Sequence, residues 1–315
     1  MPLDTLLAFA ICGMTFLTLK EKLLLQLQLA NEEDLSGVDS DGVARMIGRP
    51  LRNSVWNGAD ALAEARRVRH LCAAYGIRFA HYASAAYPAL LRESFNPPYM
   101  LFYRGDISAL QKKCVSMVGT RRMCRPCAEA AFAFAKEAAL HGQCVVSGLA
   151  LGIDACAHKG ALDAARDMSL SGTTAAVLPC GADCVVPSAH KALAKAVLDT
   201  GGCILSEYLP GTPPVHFRYV QRNRIIAALS SCTVVVQAPP ASGALITADF
   251  AVQENRILCF HESAFGPEAR RDSEAKRLSL ASDKKKERKL KITAENFVSE
   301  GAAVIKTYSD YCHFF

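Results

Sequence analysis

Residues 143–147, QCVVS, run directly into residues 147–162, SGLALGIDACAHKGAL. The first five suit a buried strand, and the rest place Gly148 and Gly152 around a short apolar step before a run of helical character. An apolar strand that opens through serine and glycine into a helix has two physical readings. The glycines can let backbone N–H groups close on an anion at a helix N-terminus, or the segment can be a tight turn into a packed helix. Asp154 and His158 stand one helical turn apart on that helix. A capping aspartate and a hydrogen-bonded histidine explain the pair more simply than an acid–base dyad.

The rhythm around this stretch sets the fold class. CVSMVGT (114–120), QCVVS, TAAVLPCG (174–181), CILSE (203–207), CTVVVQA (232–238) and RILCF (256–260) read as strands. Helical segments separate them, including PCAEAAFAFAKEAALHG (126–142), SAHKALAKAVLDTGG (188–202), QRNRIIAALS (221–230) and GALITADFAVQEN (243–255). Apolar strands alternating with amphipathic helices indicate an α/β fold: an extended Rossmann-like, mostly parallel sheet with helices on both faces. AAVIK (302–306) reads as a last strand. Upstream, residues 1–70 read as short helices joined by polar turns, a small all-α, SAM-like domain, with residues 71–315 forming the Rossmann-like domain. The segment 77–106, with three prolines and several aromatics, reads as a connector into the sheet. Residues 262–296, rich in charge, read as an exposed basic loop.

The chain has 315 residues, 51% of them hydrophobic and 21% charged, enough for a substantial core. Its formal charge of +6 is compatible with an anionic partner, although solubility alone accounts for it. The apolar run at 3–19 is closed by Lys20, Glu21 and Lys22, too early for a membrane span, so it reads as a buried helix. The 13 cysteines form no evenly spaced framework, which fits a reducing, cytoplasmic compartment. Cys124 and Cys127 form a lone CxxC with no second pair at zinc-ribbon spacing, so neither a structural zinc nor any other metal site is expected.

Parallel sheets of this kind bind ligands at the carboxyl ends of their strands. Four motifs fall there: VGTRR (118–122) with Gly119 and Arg121, SGLALGID (147–154) with Ser147 and Gly148, FRYVQRNRII (217–226) with Arg222, Asn223 and Arg224, and ASGALITA (241–248) with Ser242, Gly243 and Thr247. Glycine backbone, hydroxyls, helix N-termini and guanidinium forks are the chemistry of phosphate binding. Each motif alone is weak; their coincidence on one sheet edge raises the anion reading. No P-loop, no GxGxxG after the first strand and no GxSxG elbow is present, and Glu207 is a candidate acid without an obvious partner. No catalytic residue and no cofactor is therefore assigned.

Together VGTRR, VVSGLALGIDACAHKGAL, TAAVLPCGAD, ILSEYLPGTPP, RNRIIAALS and SGALITADFA resemble the DNA-processing protein A (DprA/Smf) family in order and spacing. The resemblance implies a Rossmann-like protein that binds single-stranded DNA rather than a dinucleotide, protects it, helps load the RecA recombinase during natural transformation, and dimerises. It implies that Arg121 contacts phosphate, that Ser147 and Gly148 shape the adjacent pocket, that Arg222, Asn223 and Arg224 line it, that Ser242, Gly243 and Thr247 close it, and that Lys191 adds a further contact. Tyr219 and Phe217 are candidates for base stacking. Val186-Pro187-Ser188 stands where members commonly carry Tyr-Pro and a basic residue, CFHES replaces the usual proline-glycine after the sixth strand, and the winged-helix domain of some members is not expected here. Two other readings stand beside it. One is a nucleotide-processing hydrolase of the lysine-decarboxylase-like (LOG) group, against which APPASGALITA lacks the PGGxGT motif and its glutamate. The other is an interaction scaffold that no longer grips DNA.

Overall fold

A computed structural model describes residues 4–51, 55–281 and 292–315. The chain opens with five helices: α1 (Thr5–Gly13), α2 (Leu19–Gln28), α3 (Glu32–Ser36), α4 (Ser40–Ile47) and α5 (Gly58–Tyr75). Each starts where a side chain satisfies the free N–H groups of the first turn. Asp4 accepts from Leu6 and Leu7 N–H, Thr18 and Glu21 form a capping box, Asn31 and Asp34 form another, and Asn57 accepts from Asp60 N–H. Asp39 caps α4, with Ser40 as its first helical residue. The apolar run at the N-terminus becomes α1, whose residues Leu6 to Cys12 are all buried. No helix among the described residues is long and apolar enough to cross a membrane.

The segment read as a connector supplies two strands, β1 (Arg78–His81) and β2 (Met100–Gly105), with α6 (Ala89–Arg92) between them. Then come β3 (Cys114–Gly119), α7 (Arg125–Leu140), β4 (Cys144–Ser147), α8 (Ile153–Met168), β5 (Thr174–Val177), α9 (Lys191–Asp199), β6 (Cys203–Ser206), α10 (His216–Ala228), β7 (Cys232–Gln237), α11 (Gly243–Gln253) and β8 (Ile257–His261). The chain ends with α12 (Pro267–Ala281), α13 (Ala294–Ser299), β9 (Ala303–Ile305) and α14 (Tyr308–Cys312).

The strands form one nine-stranded sheet in the order β1-β2-β6-β5-β4-β3-β7-β8-β9. β3 to β9 are parallel, and β1 and β2 add an antiparallel edge beside β6. The expected mostly parallel α/β sheet is present, and it extends through the connector. Residue 70 falls inside α5, and the core of the N-terminal helices includes Met100 and Phe102 of β2. Helices cover both faces of the central strands. Ala131, Phe134, Ala157 and Ala161 of α7 and α8 pack on Val115, Met117 and Val234, while Ile225 and Leu245 of α10 and α11 join a core with Val118 and Val235.

Much of the stretch read as a loop is helical. Pro267–Ala281 forms α12 because EARRDSEAKRL is built of good helix formers. Its buried Ala269 and Leu280 lie eleven residues apart, three helical turns, and so share one face. The most basic run, DKKKERKLK (283–291), lies outside the described residues.

Candidate nucleic-acid interface

The strand order reverses at β3: the chain proceeds to β4 on one side and returns to β7 on the other. At such a switch point the loops after neighbouring strands part, leaving a crevice at the carboxyl edge. An open cleft of about 1380 Å³ lies there. The loop after β3, the first half of α10, the loop from β7 into α11, and α12 wall it.

Of the expected residues, the cleft brings together Gly119, Arg121, Arg222, Asn223, Ser242, Gly243 and Thr247. Arg121 is exposed, and its guanidinium carbon lies 5.4 Å from the Tyr219 ring centroid. It has no hydrogen bond and no ion pair among the described residues, so its five donors are free for a ligand. Ser242 is the N-cap position of α11, yet its side chain makes no capping bond, and its buried Oγ has no partner. The first turn of α11 holds no acidic residue, so its positive end meets the cleft uncompensated. Asn223 Nδ2 donates to Gly243 O at 3.3 Å and ties α10 to that turn. Thr247 Oγ1 donates to the same carbonyl at 3.2 Å, which makes Thr247 a brace for α11.

Gly119 acts through packing. A Cβ there would sit 2.4 Å from Ile153 Cγ1, so its absence lets α8 approach β3. Arg222 is buried. Nη1 donates to Gly148 O at 2.7 Å and also to Val177 O, and Nε donates to Asn223 Oδ1 at 3.2 Å. This guanidinium ties together the ends of β4 and β5. Burial pushes its pKa down, and nearby Asp154 opposes the shift.

Four expected residues lie outside the cleft lining. Ser147 is fully buried and its Oγ donates to Met117 O at 2.7 Å. Gly148 N–H donates to Asp154 Oδ2 at 3.1 Å, and Ala150 N–H donates to the same oxygen at 3.2 Å. The turn therefore holds a carboxylate of its own chain. Burial raises the Asp154 pKa, with Arg222 and the two N–H groups opposing. Arg224 points elsewhere: it pairs with Glu207 and donates to Asn96 O at 2.5 Å. Glu207, the acid without an obvious sequence partner, thus belongs to a half-buried ion pair, and burial raises its pKa. Lys191 is exposed at the start of α9.

Asp154 and His158 do not bond to each other. His158 Nδ1 meets Thr174 Oγ1 at 2.7 Å, and burial pulls its pKa down to about 3. Cys127 Sγ donates to Ser263 O at 3.2 Å, and burial pushes its pKa up to about 12, which disfavours a thiolate at Cys127. No cluster of three or more metal-ligating side chains occurs among the described residues.

Sequence reasoning missed Arg122, and also Asp272 and Lys276 of α12, all of which line the cleft. The second arginine of VGTRR was the available signal for Arg122. For α12 there was none, because nothing in its sequence says where the helix lies.

The chain is similar to known proteins over most of its length. The family model for DNA recombination-mediator protein A matches residues 78–314. Protein Smf of Escherichia coli (strain K12) is 35% identical over 173 residues, 55% of this chain and 45% of that protein. DNA processing protein DprA of Streptococcus pneumoniae is 37% identical over 174 residues, 54% of this chain and 57% of that protein. The chain spans about half the length of the curated relatives it matches. The X-ray structure of DNA processing protein A from Streptococcus pneumoniae superposes with a TM-score of 0.73 at 24% identity, covering 100% of this chain and 99% of that one. DNA processing protein A from Helicobacter pylori, whose structure is described for a unique single-stranded DNA binding mode, gives a TM-score of 0.53 at 27% identity over 59% of this chain and 81% of that one. With its motifs, its sheet and its family match in agreement, this chain belongs to the DNA recombination-mediator protein A family.

Proposed function

We propose that this chain binds single-stranded DNA in the cleft at the switch point, protects it, and helps load RecA during DNA processing in recombination or natural transformation. It acts as a binder, not an enzyme, in the cytoplasm, and works as a homodimer. The observation that carries this reading is Arg121. An exposed guanidinium without an acidic partner among the described residues lines the cleft, against the Tyr219 ring, and the uncapped end of α11 lines the same cleft. Guanidinium and helix end suit phosphate, and the ring suits an unpaired base. The similarity to the Helicobacter pylori protein supports the choice of a single strand.

Fluorescence anisotropy with labelled oligo-dT and its duplex, over a salt series, tests it. Binding is expected to favour the single strand and to weaken steeply with salt. Arg121→Ala is expected to lower affinity about tenfold and to reduce the salt slope by about 0.7, the share of one phosphate on a single strand. An unchanged slope in that variant would overturn the assignment. RecA capture, with and without the strand, tests the loading role.

A further inference from the structure

A second arrangement of arginine and aromatic rings lies beside the cleft, on residues that do not line it. The guanidinium carbon of Arg218 is 5.2 Å from the ring centroid of Tyr208 and 5.4 Å from that of Phe217. The stack is built rather than incidental. Arg218 Nη1 donates to Pro213 O, and Tyr208 OH donates to Gln221 Oε1 at 3.0 Å on the next turn of α10. Arg218 has no acidic partner and no other hydrogen bond among the described residues, so donors remain free. Phe217 is 55% exposed and belongs to none of the hydrophobic clusters of the core.

The surroundings select the occupant. The first turn of α10 holds no acidic residue, and its N-cap position, Val215, supplies no side-chain bond. The patch therefore offers a flat apolar face beside a cation and a positive helix end. An aromatic plane with an anionic tail complements all three, and a nucleotide of a single strand is such a group. A duplex keeps its bases inside and presents only phosphate.

We infer that Phe217, Arg218 and Tyr208 form a stacking platform for a base of the same single strand that the cleft holds by its phosphates. This rests on the proposed function and extends it. Tyr219 lines the cleft, and Phe217, two residues earlier, projects from the other side of the first turn of α10, so a strand held in the cleft meets both by passing over the start of that helix.

The test compares oligo-dT, an abasic strand of equal length, and the duplex, with Phe217→Ala, Phe217→Trp and Arg121→Ala. Phe217→Ala is expected to weaken oligo-dT binding about tenfold. It should leave the abasic strand, the duplex and the salt slope unchanged, because no phosphate contact is lost. Phe217→Trp, with a larger ring face, is expected to match or exceed the parent. Equal losses on oligo-dT and the abasic strand would overturn the platform, as would no loss on either. If Arg121→Ala weakens every strand while Phe217→Ala weakens none, the platform falls and the cleft stands. If Phe217→Ala alone has an effect, confined to oligo-dT, the platform stands and the cleft assignment falls.

Discussion

A methyl group added at Gly119 would lie 2.4 Å from Ile153 Cγ1 and 2.6 Å from its Cβ, in the seam between β3 and α8. Gly119→Ala is expected to cost about 1–3 kcal/mol through overpacking, read as a lower urea midpoint. Gly243 is the control: its added Cβ would meet nothing closer than Asn223 Nδ2 at 4.0 Å, so Gly243→Ala should leave the midpoint nearly unchanged. Asp154→Ala should be costly too, because it strips the acceptor from Gly148 and Ala150 N–H and leaves the Gly148 donor unsatisfied inside the protein. About 2–4 kcal/mol is expected, again from urea unfolding. At this scale the sequence was a partial guide. The placement of Arg121, Asn223 and Ser242 followed from counting strands and looking at what comes after each. The same logic set Ser147, Gly148 and Arg224 among the site residues, and these lie outside the cleft lining, because spacing tells which strand end a residue occupies but not which atom its side chain meets.

Helix α12 changes what the cleft presents to a ligand. Asp272 accepts from Gln237 Nε2 at 3.0 Å, and with Lys276 it places one negative and one positive group on that wall. Asp272→Asn keeps an acceptor for Gln237 and removes the negative charge. Affinity for oligo-dT should rise severalfold at low salt, and the gain should shrink as salt screens it. An unchanged affinity would mean that the strand does not pass α12. The parallel strands and their helices were legible because their patterning is strict. Residues 77–106 were not, since proline and aromatic content marks a turn-rich segment equally well whether its extended parts pair or hang free. Charge misled at 267–281: a helix with only a narrow apolar face looks like a loop until its propensity is weighed.

At the scale of the whole molecule, buried histidines contribute to the response to acid. His158 is fully buried and its pKa is pulled down to about 3, whereas in the unfolded chain it titrates near ~6.5. As pH falls below that unfolded value, the unfolded state takes up a proton that the folded state refuses. Stability is therefore full above about pH 6.5 and is lost as pH falls towards 3, by about 1.4 kcal/mol per pH unit for this one site. Burial shifts His81 and His261 in the same direction, and Asp154, raised by burial, acts in the opposite sense. Urea unfolding at pH 7 and pH 5 should show the loss, and His158→Gln should flatten it.

The carboxylate of Asp154, seated on Gly148 and Ala150 N–H, has one more consequence. A glycine turn that opens into a helix can seat a visiting phosphate on its free N–H groups. Here a permanent resident occupies the berth, and a visitor would face its bulk. Grip on a ligand then passes to side chains reaching in from the neighbouring loops, and such reach suits a long, pliable polyanion better than a small cofactor fixed in one pose.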